Sequence, residues 1–248
     1  MKHTKALVDL SYIIYFSMFS AFNIFENQHP DLAEKDPEFD PSIHDEFRDI
    51  FKRRFNSCVL ANLKKVNPFI NPENIIFAKD CSKKTIWRND YFPEYKIDRK
   101  TKDKSELPFS FSGTFNYAVN SIVAEYQELG SFLIDCPCAE GDDVIGVLTS
   151  HLKPNYNLII IASDRDLLQL TDLNVMMIDC AGTKLTYESF FKDKWDRITV
   201  ENFGPREFCM IKSMMGDKSD GIPQVHPKCG MVTAIKYLNN RDLLKEKC

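Results

Sequence analysis

Nine acidic residues carry the chemistry this chain could do: Asp9, Asp80, Glu140, Asp142, Asp143, Asp164, Asp166, Asp217 and Asp220. The stretch LIIIASDRDLLQL, from Leu158 to Leu170, drives three isoleucines straight into Asp164 and Asp166. A single acid at such a junction is a good helix cap, and Asp143 or Asp166 alone would need no other account. The set is harder to explain that way. Like charges a few ångströms apart oppose each other's ionisation, and burying them unpaired costs several kcal/mol per ion. Such a cluster persists when cations neutralise it. Oxygen donors without histidine or cysteine point to Mg²⁺ or Mn²⁺ rather than zinc. More carboxylates than one octahedral ion can use imply two ions, the arrangement that clamps the attacking and leaving oxygens of a phosphodiester.

The elements that must position these acids emerge from the hydrophobic pattern. Short apolar runs at Lys5–Leu10, Asn74–Ala78, Phe132–Cys136, Leu158–Ala162 and Val175–Asp179 read as strands. Helical spacing recurs over Tyr12–Phe22, His44–Val66, Phe115–Leu129, the stretch after Glu140, and the segment opened by Asp166. Asn23–Ser42, with three prolines and many acids, reads as a loop or insertion without an assigned role, and Leu107–Gly113 as irregular or mobile. Strands alternating with helices imply an α/β fold with a parallel central sheet covered on both faces. In such sheets the functional crevice lies at the carboxyl ends of the strands. Asp9, Asp80 and Asp164 end strands, and Glu140, Asp142 and Asp143 open the helix after the third, so all converge on one edge. Asp217 and Asp220 lie in a glycine-rich turn between helices expected at about Pro205–Met215 and Gly230–Leu238. Glycines there let backbone amides approach a phosphate closely.

The chain has 248 residues, is 44% hydrophobic, and carries a net charge of −4, which on its face argues against a nucleic-acid partner. Its distribution argues otherwise. Lys79–Lys104 holds nine basic and five acidic residues, whereas Glu26–Asp49 holds two basic and nine acidic. A chain acidic overall can therefore present a basic groove. No apolar run is long enough to span a membrane, and the N-terminus lacks a signal-peptide pattern, so a cytoplasmic protein is expected. The eight cysteines include no CxxC pair; Cys136 and Cys138 are the closest two, and His226 to Cys229 lacks nearby partners. They read as free thiols in a reducing compartment.

Five blocks, in order over about Ala6 to Leu238, resemble the flap endonuclease / 5′-3′ exonuclease superfamily, most closely its T-even phage ribonuclease H type. They are LVDLS, AKDCSKKTIWRNDYFPEYKIDR, AEGDD, SDRD and MGDKSDGIP. The resemblance implies a PIN-like nuclease core over 1–200 and a helix–three-turn–helix DNA-binding region over 201–248. An arch over the site, at about 97–118, would help admit a single-stranded 5′ end. The resemblance assigns one metal to Asp80, Glu140, Asp142 and Asp164 with Asp9 close by, and a second to Asp166, Asp217 and Asp220, partly through water. Asp143 would lie behind the ligands or bind partially. Arg88 and Lys96 would face the scissile phosphate. Lys83, Lys84, Arg99, Lys100, Lys218, Gly221, Lys228 and Gly230 are the candidate DNA contacts. The aromatics Trp87, Tyr91, Phe92 and Tyr95 suit stacking on a single strand, with core packing the expectation for Trp87.

The implied activity is metal-dependent, structure-specific 5′-nuclease action on DNA and RNA–DNA hybrids during replication. Two Mg²⁺, replaceable by Mn²⁺, would serve a monomer whose partners are nucleic acids with a free 5′ end, with a polymerase or single-strand-binding protein as further candidates. The family's usual hairpin is replaced by His226-Pro227-Lys228-Cys229-Gly230, which puts a potassium ion there in doubt. Two rival readings stand beside this one. A PIN-class ribonuclease would share the acidic crevice, and a non-catalytic nucleic-acid-binding homologue would keep the fold.

Overall fold

A computed structural model of the chain describes residues 3–32, 38–82, 84–97 and 109–246. Six strands, β1 (His3–Asp9), β2 (Ile75–Lys79), β3 (Phe132–Asp135), β4 (Tyr156–Ile161), β5 (Val175–Ile178) and β6 (Lys184–Leu185), form one sheet in the order β3-β2-β1-β4-β5-β6. The first five are parallel, and β6 closes one edge antiparallel to β5. Side chains of a strand alternate between faces, and here both faces are buried. Ala6, Val8, Ile159 and Ile161 enter one apolar layer, while Leu7, Leu158 and Ile160 enter the other. None of the seven is more than 2% exposed. Each buried Val, Leu or Ile contributes about 1.5–3 kcal/mol, so uninterrupted apolar runs are what a doubly covered central strand requires.

The first layer is built by α1 (Leu10–Gln28), α2 (Asp45–Asn56) and α3 (Asn62–Val66). A short helix, α4 (Arg88–Tyr91), stands beside the carboxyl edge of the sheet, and α5 (Ser112–Tyr117) and α6 (Ala124–Glu128) complete that layer. The second layer is α7 (Gly141–Leu152), with α8 (Tyr187–Phe191), α9 (Pro205–Met215) and α10 (Met231–Asn239) after it. A last helix is α11 (Asp242–Lys245). Strand β1 has β2 on one side and β4 on the other, so the chain order reverses there. The crevice at that reversal is where a doubly wound sheet binds its ligands.

Several expectations are corrected. Asn23–Gln28 continue α1 rather than starting a loop, because Phe25 is fully buried in the first layer. The expected single helix over His44–Val66 is two α-helices joined by a π-helical turn at Ser57–Ala61. The helix expected from Phe115 starts at Ser112 and also carries a π-helical stretch, Ala118–Val123. Phe109, expected in an irregular stretch, is a core residue stacked on Phe22 with ring centroids 4.3 Å apart. Arg165–Leu170 forms a 3₁₀ helix capped by Asp164, so Asp166 sits inside its first turn instead of opening it. The two-residue strand β6 was too short to leave a pattern. Most of the expected arch, 98–108, lies outside the described residues.

Candidate active site

Four carboxylates reach the crevice, each on its own element. Asp9 ends β1 and caps α1, its Oδ1 accepting from the Tyr12 amide at 3.0 Å. Asp80 comes directly after β2 and accepts from the Gly141 amide at 2.6 Å. Asp142 lies in the first turn of α7. Asp164 comes shortly after β4 and accepts from the Asp166 amide at 2.9 Å. Capping and clustering are therefore compatible, since one carboxylate oxygen serves the backbone and leaves the other free. Burial pushes the Asp9 carboxyl up to about 7, with the charges of Asp80 and Asp164 adding to it. Burial, then Asp164, Asp9 and Asp80, pushes Asp142 up to about 8. Among the described residues none of the four makes an ion pair. A group of hard oxygens short of positive charge fits a divalent cation. The side chains stand as an open group: among the described residues, no three acid, histidine or cysteine side chains are arranged to hold one ion.

The flanking acids are paired instead. Arg88 clamps Asp143 through two hydrogen bonds of 2.7 Å and reaches Glu140 at 3.2 Å. Asp143 is partly buried, but the Arg88 hydrogen bonds outweigh that and hold its carboxyl below the usual range. Lys96 Nζ lies 2.6 Å from Glu140 Oε1 and 3.8 Å from Asp220 Oδ2. The buried Tyr95 hydroxyl donates to Glu140 Oε2 at 2.8 Å and lies 3.2 Å from Asp220 Oδ2. Burial, then Glu140, raises its pKa, so it stays a proton donor. On the far side, Lys212 of α9 lies 2.9 Å from Asp166 and 3.5 Å from Asp217. Burial raises the Asp166 carboxyl, and the contact with Lys212 offsets only part of that. Asp217 falls below its usual range because Ser219 and Lys212 outweigh burial.

The turn after α9 is held against this wall. Gly216 has φ +65°, and a Cβ there would sit 2.5 Å from the carbonyl oxygens of Ile222 and Pro223, so only glycine fits. Asp217 pairs with Ile222 through two backbone hydrogen bonds, and its Oδ1 accepts from the Ser219 amide at 2.8 Å. The Lys96 amide donates to the Asp220 carbonyl at 3.0 Å. Lys96 has φ +53°, a conformation costing a non-glycine residue about 1–3 kcal/mol and kept where surrounding contacts over-determine it. A cavity of about 600 Å³ joins Arg88, Lys96, Glu140, Asp142, Asp164 and Asp166. Another of about 620 Å³ opens elsewhere on the molecule, between Thr4, Asn67, Asn157 and Leu173; its acid, Asp172, is paired with Lys153.

The other expected contacts are dispersed. Lys84, Lys218 and Lys228 are exposed, and Lys83, Arg99 and Lys100 lie outside the described residues. Gly230 caps α10 in open space, whereas Gly221, at φ +76°, faces the Glu94 carbonyl and lets the turn press onto that segment. Trp87 overturns the expectation of core packing: it is 44% exposed, and Tyr95 is the buried aromatic. Sequence reasoning missed Lys212 and the Tyr95 hydroxyl. Neither had a signal beyond being a polar group near acidic motifs.

The family described as "5′-3′ exonuclease, N-terminal resolvase-like domain" matches residues 52–197, more than half of the chain. The chain belongs to this 5′-3′ exonuclease family. It is 31% identical over 200 residues to a 5′-3′ exonuclease of Mycoplasmopsis pulmonis, covering 77% of this chain and 60% of that protein. It is 30% identical over 170 residues to a 5′-3′ exonuclease of Buchnera aphidicola, covering 68% and 54%. With DNA polymerase I of Streptococcus pneumoniae it shares 31% over 173 residues, 68% of this chain and 18% of the polymerase. The chain thus spans less than two thirds of the length of these relatives. Bacteriophage T5 5′-exonuclease with bound zinc matches at TM-score 0.62 and 18% identity, over 98% of this chain and 79% of that one. The T5 D15 flap endonuclease in a pseudo-enzyme–product complex with DNA and metal ions matches at 0.62 and 16%, with the same coverage. At such identity the likeness establishes the fold of this exonuclease-family member, a mostly parallel sheet flanked by helices.

Proposed function

We propose that this chain is a divalent-metal-dependent, structure-specific 5′-nuclease acting on flaps, nicked duplexes and RNA–DNA hybrids during replication. The observation that carries this reading is the central set Asp9, Asp80, Asp142 and Asp164, four acids from four elements without an ion pair, in which burial and the neighbouring carboxylates raise the proton affinity of Asp9 and Asp142. Family membership, the DNA polymerase I relative and the DNA-bound T5 neighbour support the substrate class.

The four central acids, with Glu140, would hold one cation, and Asp166, Asp217 and Asp220 would help hold a second; magnesium is the assignment, with manganese as substitute. When bound, such ions neutralise the acids and polarise the phosphodiester and the attacking water. The chain's own groups do the rest. Arg88 and Lys96 stand at the cavity wall as preorganised donors for charge developing on phosphate oxygens, and need no reorganisation at the moment of reaction. Tyr95 fixes the Glu140 carboxylate and ties it to the turn carrying Asp220. Residues 1–200 would form the nuclease core and 201–248 the duplex-binding region, with Lys218 and Lys228 on phosphates. No described helix is long and apolar enough to cross a membrane.

The test is cleavage of end-labelled 5′-flap DNA, a nicked RNA–DNA hybrid and single-stranded RNA, with Mg²⁺ and with chelator. Metal-dependent cutting at the flap junction or the hybrid's 5′ end is expected. Cutting of single-stranded RNA alone would replace this reading with a PIN-class ribonuclease. No cutting with either Mg²⁺ or Mn²⁺ would leave a binding module.

A further inference from the structure

Two aromatic rings stand at the mouth of the active-site cavity with their surfaces in water. Tyr91 is 83% exposed and Trp87 44%, and both line the cavity that holds Glu140, Asp142, Asp164 and Asp166. Their ring centroids are 5.9 Å apart and their planes meet at 76°, so they form a corner. The corner is fixed. The indole Nε1 donates to Asp143 Oδ2 at 3.1 Å, the same carboxylate that Arg88 clamps. The Arg88 guanidinium lies 4.7 Å from the indole centre. Tyr91 ends α4, whose backbone closes with the Phe92 amide donating to the Arg88 carbonyl at 2.8 Å. Leaving apolar ring surface in water forgoes about 25 cal/mol per Å². The chain covers its other tryptophan, Trp195, between Phe191 and Phe203, with centroids 5.8 and 5.2 Å away. It buries Tyr95, four residues beyond Tyr91.

We propose that the Trp87–Tyr91 corner stacks one unpaired nucleobase of the strand whose phosphodiester enters the carboxylate crevice. This deepens the nuclease reading above and rests on it. A base inside a duplex has both faces covered by its neighbours, so a rigid aromatic wall selects a nucleotide already out of the stack. Every base has such a face, so the contact is blind to sequence. Arg88 beside the rings offers positive charge to the adjoining phosphate. A planar base can lie flat on one ring and meet the other edge-on.

The experiment uses Tyr91→Ala, Tyr91→Phe and Trp87→Phe with flap substrates in which each nucleotide of the 5′ strand in turn is abasic. For Tyr91→Ala, KM is expected to rise about 5- to 100-fold, the range that loss of one base stack gives, with kcat within about two-fold. Tyr91→Phe should stay close to the parent chain. The parent chain should lose a similar factor at one abasic position only. At that position Tyr91→Ala should add nothing further, because the ring and the base are the two halves of one contact. With metal chelated, a labelled single strand should quench the tryptophan emission of the parent chain and not that of Trp87→Phe, which keeps only Trp195. An unchanged KM in Tyr91→Ala, or abasic losses equal in Tyr91→Ala and the parent chain, overturns the proposal. If the parent chain cleaves nothing, the nuclease reading fails and the chelated binding assay still decides. Binding that depends on the base and on Tyr91 keeps the corner, while base-blind binding, or none, removes it.

Discussion

Acids at the centre of the crevice and acids at its two flanks share one chemistry and live in opposite surroundings. Asp143 and Glu140 have Arg88 and Lys96, and Asp166 and Asp217 have Lys212. Asp9 and Asp142 make no ion pair among the described residues; burial and then the neighbouring carboxylates drive their carboxyls up to about 7 and about 8, with Lys96 offsetting only a small part of this at Asp142. The chain does not lack cations to spend there, since Lys96 already reaches the rim. Leaving the centre unpaired is costly, and unpaired like charges are the arrangement a divalent ion relieves. The flanks, each carrying cations of its own, hold the shape of the site while the centre waits for charge from outside.

Removing a central charge should produce the largest effect. Asp142→Asn should cut nuclease turnover by at least about 10³-fold, because a cation clamp is worth several kcal/mol in the transition state. The same variant should melt higher than the parent chain in chelator above about pH 8, where Asp142 is ionised and the substitution deletes a repulsive charge. An unfolded or less stable Asp142→Asn would break the comparison, for the centre would then be structurally paired after all. The next effect is on pH. Folded Asp9 and Asp142 hold protons up to about 7 and 8, against 3.8 for the ordinary carboxyl. Between about pH 4 and 8 these two carboxyls therefore bind more protons in the folded chain than in the unfolded one, and their contribution to stability falls as pH rises. Thermal melts in chelator should decline across that window. Millimolar Mg²⁺ should restore more at pH 8 than at pH 5, through mass action on the folded state. Metal-free stability that climbs from pH 5 to pH 8 would count against the shared field.

The central half of this comparison was legible in the sequence and the flanking half was not, for a physical reason. Ala6-Leu7-Val8 before Asp9, and Ile159-Ile160-Ile161 before Asp164, announce strands buried on both faces, and parallel strands must deliver the residues at their carboxyl ends to one edge. Backbone topology thus places the centre. The flanks depend on side-chain direction. Nothing in Trp87-Arg88 says that the arginine turns inward onto Asp143 and the indole outward. Tyr95 looks like any aromatic in a mixed run, yet its hydroxyl joins Glu140 to Asp220. Lys212 is a lysine on an amphipathic helix, and only the packing of α9 against the Arg165–Leu170 turn brings it to Asp166. β6 is two residues long and gave no period at all.

A flank can be converted into a centre by removing its cation. Lys212→Met keeps the length and apolar stem of the side chain and leaves Asp166 and Asp217 to repel each other. The pair is partly exposed, so the cost in chelator should be modest, about 1 kcal/mol. The informative quantity is the response to metal: the rise in Tm on adding Mg²⁺ should be larger in Lys212→Met than in the parent chain. An equal rise would mean that Lys212 and a bound cation do not act on the same charges.

The smallest change tests whether the centre's geometry, and not only its charge, matters. Gly141 donates its amide to Asp80 at 2.6 Å, and a Cβ at that position would lie 3.2 Å from both Asp80 Oδ1 and the Ala78 carbonyl oxygen. Gly141→Ala therefore forces a shift of a few tenths of an ångström. Gly141 is also the first residue of α7, where alanine in place of glycine gains up to about 0.5–1 kcal/mol of helix stability. The two effects oppose each other, so Tm should move little. Activity should still fall several-fold, because a misplacement of about 1 Å costs on the order of 100-fold and this one is a fraction of it. The measurement is kcat at saturating Mg²⁺ beside Tm in chelator. A loss of activity with no loss of stability shows that Asp80 works by position, whereas a parallel loss of both would reduce Gly141 to a packing residue.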